Sequence, residues 1–150
     1  MLEIANFAEL EAMVGTLVES DWWTVSQETI DAFANLTHDH QWVHVDRARA
    51  AAESPYGTTI AHGFLTLSLL SAMFAQCCRI RAASTINYGF ERVRFTGPVR
   101  SGSRIRGKYT LSRLEANGIA DAEVGFLVEV EVEGSHKPAL AATWLIRIHF

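Results

Sequence analysis

Along the C-terminal part of the chain, apolar and polar side chains alternate with a period of two. Val124, Phe126, Val128, Val130 and Val132 stand between Glu123, Gly125, Leu127, Glu129, Glu131 and Glu133. Leu140, Ala142, Trp144, Ile146, Ile148 and Phe150 repeat the pattern around Arg147 and His149. Ile105, Tyr109 and Leu111 alternate with Arg104, Arg106, Lys108 and Thr110. Each run predicts a strand with one buried face. An earlier run, Ile86, Tyr88 and Phe90, changes phase before Val93 and Phe95, which predicts a bulge near Glu91-Arg92. Turn formers separate the runs at Gly97-Pro98, at Asn117-Gly118 and from Gly134 to Pro138. Long consecutive strands with short connections predict an antiparallel sheet with one apolar face.

The first half of the chain has a different period. Asn6, Glu9 and Gly15 form a capping pattern with a stop, predicting a short helix over Asn6 to Val14. Leu17 to Val25, with Trp22 and Trp23, predicts a strand that runs into a helix cap at Ser26. Ile30, Phe33, Ala34 and Thr37 recur at helical spacing and predict a helix over Gln27 to Leu36. Asp46 caps an alanine-rich helix over Arg47 to Glu53, which Ser54-Pro55-Tyr56-Gly57 ends. Between Ile60 and Cys78 apolar residues fall on every side, the pattern of a helix buried all round. The segment sits at the short limit of a membrane span, about 17 residues, and Thr66, Ser68, Ser71 and Gln76 interrupt it. A helix sunk in a soluble core is therefore expected. One buried helix against one curved antiparallel sheet is the α+β arrangement called the hot dog fold. With no linker or repeat, 1–150 reads as a single such domain.

Composition adds constraints. At 150 residues, 49% hydrophobic and 20% charged, the chain can bury a core without staples. Cys77 and Cys78 are adjacent, an awkward geometry for a structural disulfide, and read as small buried side chains in a reducing compartment. The N-terminus carries Glu3 and no secretory pattern, so a cytoplasmic location is expected. Charge is uneven: the net value is −4, yet Arg79, Arg81, Arg92, Arg94, Arg100, Arg104, Arg106, Lys108 and Arg113 face only Glu91, a local balance of +8. Either these cations form a solvated strand face, or some of them, with Arg92 and Arg94 as candidates, meet the phosphates of an anionic ligand. The acidic pI near 5.8, without groove-reading or base-stacking motifs, speaks against nucleic acid.

The densest chemistry lies in Thr37-His38-Asp39-His40-Gln41-Trp42-Val43-His44-Val45-Asp46, three imidazoles and two carboxylates in ten residues. A fixed Asp/His pair can take a proton from water and later return it. Asp39 and His44 are the favoured pair. Five residues on a regular helix would set them about 140° apart, so they meet only on a loop or a broken helix end. Trp42, Val43 and Val45, poor helix formers, favour the break. Two other readings compete: Asp39 and Asp46 as caps, or a metal site of His40 and His44 with His38 and Asp39 nearby. Gly63 opens the central helix, where free amides and the helix dipole favour an anion and a missing side chain lets a ligand approach. Close packing under the sheet is its plainer explanation. An Asp/His pair with such an amide suits addition of water to an activated C=C bond, because charge builds on the carbonyl oxygen. His62, one residue earlier, reads as ordering the turn, with substrate contact as its candidate role.

Phe33 to Ala50 resembles the hydratase 2 motif of the MaoC-like dehydratases, the (R)-specific enoyl-CoA hydratases. Thr59 to Leu69 resembles the family's segment entering its central helix, and Asn87-Tyr88-Gly89, Val93-Arg94-Phe95 and Pro98-Val99 resemble its following strand. The resemblance spans roughly Trp23 to Lys108 and is strongest to the single-domain branch with nodulation protein N-like hydratases. It implies a hot dog homodimer whose sheets join, with a tunnel for coenzyme A thioesters near the subunit interface. The implied reaction is hydration of trans-2-enoyl-CoA to (R)-3-hydroxyacyl-CoA. The resemblance places the catalytic acid and imidazole on Asp39 and His44 and the oxyanion-stabilising amide on Gly63. It implies no metal or redox cofactor, coenzyme A being part of the substrate. A thioesterase and a non-catalytic acyl-thioester binding module are the alternatives. One position departs: His38 stands where the family has Gly, and a side chain with a Cβ adopts positive φ less readily than Gly, although His is among those enriched there.

Overall fold

Asn6 and Glu9 start the fold as their spacing requires. The Asn6 side chain accepts from the Glu9 amide at 3.0 Å, and the Glu9 carboxylate accepts from the Ala5 amide at 2.7 Å. In the computed structural model, which describes residues 1–118 and 120–150, a short strand β1 (Leu2–Ile4) precedes this cap and α1 (Phe7–Ala12) follows it. The segment expected as one strand forms two, β2 (Leu17–Glu19) and β3 (Trp23–Thr24). Ser20 makes the break: its amide donates to the Gly107 carbonyl and its hydroxyl accepts the Gly107 amide, both at 2.9 Å. Local pairing thus passes from main chain to side chain.

Ser26 caps α2 (Gln27–Thr37), and a single turn, α3 (Trp42–Val45), precedes α4 (Arg47–Glu53). Asp46 caps α4 by accepting the Arg49 amide at 2.9 Å. The central helix is α5 (Gly63–Cys77), which runs directly into β4 (Cys78–Ile80). β4 pairs parallel with β1, a contact that three-residue strands give no periodicity to predict. The long strands are β5 (Ser84–Phe95), β6 (Arg104–Ala116), β7 (Asp121–Val132) and β8 (Leu140–His149). The main sheet has the order β2-β6-β7-β8-β5, with β3 also on β6, and every pairing in it is antiparallel. β5 precedes β6 in sequence but pairs with β8, so residues 96–103 carry the chain from the β5 edge across to β6, which β2 and β3 flank on its far side. The expected bulge is present, with a register shift between Glu91 and Arg94 and φ 54° at Arg92.

The sheet's apolar face receives α5. The Tyr109 hydroxyl donates to the mid-helix Leu70 carbonyl at 2.7 Å, and Gly107 leaves room for that ring, since a Cβ there would run into it. Phe74 meets Tyr109, Phe126 and Trp144 edge-on, with ring centroids 5.0, 5.1 and 5.7 Å away. This is the hot dog architecture: an antiparallel sheet around a helix. Two expectations need correction. α5 is not buried all round: Leu65, Leu70, Met73, Phe74 and Cys77 are buried, but Phe64 is 69% exposed and Ser68, Ser71, Ala72 and Ala75 face outward. One sheet covers one side only. The second correction concerns the cations. Arg104 pairs with Glu133 at 2.8 Å, and Arg106 and Lys108 pair with Glu131 at 2.7 and 3.0 Å. Arg113 sits among Glu91, Glu115 and Glu123, and Arg81 pairs with Glu3. Strand pairing places carboxylates distant in sequence beside the cations, so for β6 the solvated strand face is the right description. Cys77 and Cys78 are free and buried, and burial pushes the Cys78 thiol up to about 11. Among the described residues no helix is long and apolar enough to cross a membrane.

Candidate active site

The site begins where α2 stops. His38 takes φ 59° and ψ 20°, the left-handed C-cap that Gly adopts freely and that costs another residue about 1–2 kcal/mol. The reversal frees Asp39 to Gln41 from the helix and lets α3 restart at Trp42. Asp39 and His44 are thereby released from the helical period. One donor atom each from Asp39, His44 and His62 lies within 4.8 Å of the others. His44 and His62 are buried, whereas the Asp39 side chain stays 54% exposed.

His44 Nδ1 lies 2.7 Å from the Ile60 carbonyl. A carbonyl only accepts, so Nδ1 carries the proton and Nε2 of the neutral ring keeps the lone pair. Burial holds the His44 pKa below its usual value; the bond to Ile60 opposes this, His62 adds to it and Asp39 opposes it. α3 is held in turn by Gln27, whose Nε2 donates to the His44 carbonyl and to Asp31 Oδ1, both at 2.7 Å, while its Oε1 accepts the Thr59 hydroxyl. Sequence reasoning missed Gln27 and Thr59. A Gln in the first turn of a helix carries no signal that it faces inward.

His62 is more than a turn residue. Its Nε2 donates to the Asp39 carbonyl at 3.0 Å and approaches Asp39 Oδ2 at 4.0 Å, and its ring stacks on His44 with centroids 3.8 Å apart and 26° between planes. Among the described residues the group with metal-ligating spacing is Asp39, His44 and His62, so of the expected grouping of His40 and His44 with His38 and Asp39 nearby, His38 and His40 drop out. His40 precedes α3, and its Nε2 lies 2.9 Å from Asn35 Oδ1. Asp39, His44 and His62 have the composition of a metal site, with the two rings stacked 26° from parallel. One nitrogen of each ring is also engaged by a carbonyl.

Gly63 follows His62 and opens α5, so its amide has no intrahelical acceptor. A Cβ there would come 3.0 Å from the Phe95 ring, so close packing also favours Gly. Ile60, Gly63, Thr66, Phe95 and Val99 line a cavity of about 340 Å³. Asp39 and His44 are not in its wall; their side of the site opens to solvent through the Asp39 carboxylate. Arg92 and Arg94 are exposed on the β5 bulge, and the Arg94 guanidinium donates to the Val93 carbonyl at 2.9 Å. Among the described residues neither forms an ion pair, and neither bonds to Asp39 or His44.

The hot dog architecture thus sets Asp39 and His44 beside His62, the residue that leads into Gly63 at the head of α5, and similarity to known proteins puts the chain in the class of thioester hydratases and dehydratases. The chain belongs to the MaoC like domain family, whose model matches residues 9–132. It is 49% identical over 148 residues to nodulation protein N of Rhizobium leguminosarum bv. viciae, covering 97% of this chain and 92% of that protein. It is 45% identical over 149 residues to 3-hydroxyacyl-thioester dehydratase Z of Mycobacterium tuberculosis, covering 98% of each. An unliganded R-hydratase from Pseudomonas aeruginosa matches with a TM-score of 0.72 at 27% identity, over 94% of this chain and 83% of that one. The match extends beyond Trp23 to Lys108 on both sides, taking in the sheet strands that carry no motif.

Proposed function

We propose that the protein adds water reversibly across the C2=C3 bond of a trans-2-enoyl-CoA, giving the (R)-3-hydroxyacyl-CoA. The observation that carries this is the His44 hydrogen bond to Ile60, which leaves Nε2 as the proton acceptor beside the Asp39 carboxylate and the head of α5. A water held by Asp39 gives a proton to His44 Nε2 as its oxygen bonds to C3. The C2=C3 electron pair moves toward the thioester carbonyl, whose oxygen takes negative charge and is met by the Gly63 amide. As the enolate collapses, C2 takes the proton from His44, so one hydrogen and one hydroxyl are added and both residues return to their starting state. The sequence of steps balances without a metal or redox group. Arg92 and Arg94 are the proposed contacts to substrate, toward the coenzyme A phosphates, whereas His62, expected as a third contact, is 3% exposed with its Nε2 on the Asp39 carbonyl and faces the protein instead. The proposed setting is cytoplasmic, and the proposed assembly a homodimer joined through the exposed β5 edge. Support for the dimer comes from Ile86 and Tyr88 on that edge, 58% and 50% exposed.

The test is loss of enoyl absorbance from crotonyl-CoA, read beside release of free thiol. Hydration consumes absorbance without freeing thiol. Thiol release at the same rate would replace this function with a thioesterase, and ligand-induced thermal stabilisation without turnover would replace it with a binding module.

A further inference from the structure

His62 is a buried titratable group that the chemical steps above do not use. Its Nδ1 is buried with no hydrogen-bond partner among the described residues. An unmade buried hydrogen bond opposes folding, so an apolar ring would pack here at lower cost. Packing alone does not account for an imidazole at this position. Beside a tilted contact with Phe33, ring centroids 5.1 Å apart, its side chain meets the proton-transfer pair twice: Nε2 on the Asp39 main chain, which an apolar ring cannot reproduce, and the ring face on His44. We infer that His62 is a positioning residue, tying the Asp39 loop to the head of α5 through its N–H and fixing the plane of the His44 imidazole with its face.

Each contact supplies something that the partner lacks. The Asp39 carboxylate is exposed, and its Oδ1 takes the Gln41 amide only at 3.4 Å, so the loop is weakly held from its own side. The in-plane bond from His44 Nδ1 to Ile60 leaves the ring free to rock about that bond, and a second ring 3.8 Å away removes the freedom. Because Gly63 follows His62 directly, one residue sets the spacing between base, carboxylate and helix-head amide. The groups that face His44 are Asp39 from the α2–α3 loop, His62 from the head of α5 and the Ile60 carbonyl. His62 also helps keep His44 below its ordinary titration range.

The kinetic consequence rests on the hydratase proposal; the geometric one does not, so the test has two arms. His62→Phe keeps an aromatic face and loses the N–H, while His62→Gln keeps an amide N–H and loses the ring. NMR titration of the His44 ring reads position without turnover: the midpoint moves from its wild-type value in both variants. In crotonyl-CoA hydration, kcat falls in His62→Phe by up to about 100-fold, KM stays within about threefold, and His62→Gln recovers part of the loss. Circular dichroism shows which variants are folded, and either one suffices for the titration. An unmoved His44 midpoint in a folded variant overturns the inference, as does wild-type kcat in His62→Phe. A moved midpoint in a protein whose wild type hydrates nothing supports the positioning role and sinks the hydratase proposal instead.

Discussion

The proposed role of His44 as a base requires a neutral ring, and its burial favours that form. Its pKa lies below the ordinary value of 6.5, so kcat/KM for hydration should rise through a midpoint below pH 6.5 and be level at neutrality. A midpoint at or above that value contradicts the account. The linked stability effect has a definite sign. With the folded-state pKa depressed, the unfolded chain binds the proton more readily, so the contribution of His44 is fully present above about pH 6.5 and is lost as pH falls through the lower folded value. Urea unfolding of the wild type and His44→Gln across that window should converge on the acid side. At the neighbouring cap, His38→Gly should raise stability by about 0.5–1 kcal/mol by removing left-handed strain, part of the gain being offset by a freer unfolded chain. A decrease would show that His38 makes a compensating contact. Asp39 and His44 were legible because titratable groups crowd into ten residues. His62 was legible as a candidate but its contacts were not, because its partners lie 23 and 18 positions earlier, and the stacking that defines its place is a tertiary contact.

Gln27 connects α2 to α3 and fixes the height of His44. Its side chain serves the His44 carbonyl, Asp31 and the Thr59 hydroxyl, so Gln27→Ala strands buried polar groups and should cost about 2–3 kcal/mol in denaturant unfolding. Hydration should fall more than stability alone explains. A loss below about 0.5 kcal/mol would mean that water replaces the amide at no cost. At the head of α5, Gly63→Ala pushes against the Phe95 ring, which is 49% exposed and free to give, so the fold should survive while kcat falls. Strand type and the β5 bulge were legible from period two, since the pleat alone sets which side chains face the helix. The break at Ser20 was not: its partner Gly107 is 87 residues away. Nor was the β1–β4 pair, whose strands are too short to show a period.

On the scale of the whole molecule, the sequence was misleading about charge and about the central helix for the same reason: each depends on what the fold sets alongside. Arg106 and Lys108 of the cation run are balanced by Glu19 of β2 and Glu131 of β7, and the all-round apolar helix is covered by one sheet on one side. The proposed homodimer would cover the exposed β5 edge. Light scattering should give twice the 16.6 kDa chain mass, and Ile86→Lys with Tyr88→Lys should shift the protein toward that single mass. A wild type that stays monomeric would remove the proposed assembly without touching the proton-transfer pair. That pair is tested most directly by following crotonyl-CoA absorbance with the wild type, Asp39→Asn and His44→Ala side by side. The account predicts hydration by the wild type and a loss of about 100-fold or more in each variant, with the fold intact. Turnover unchanged in both variants would contradict it.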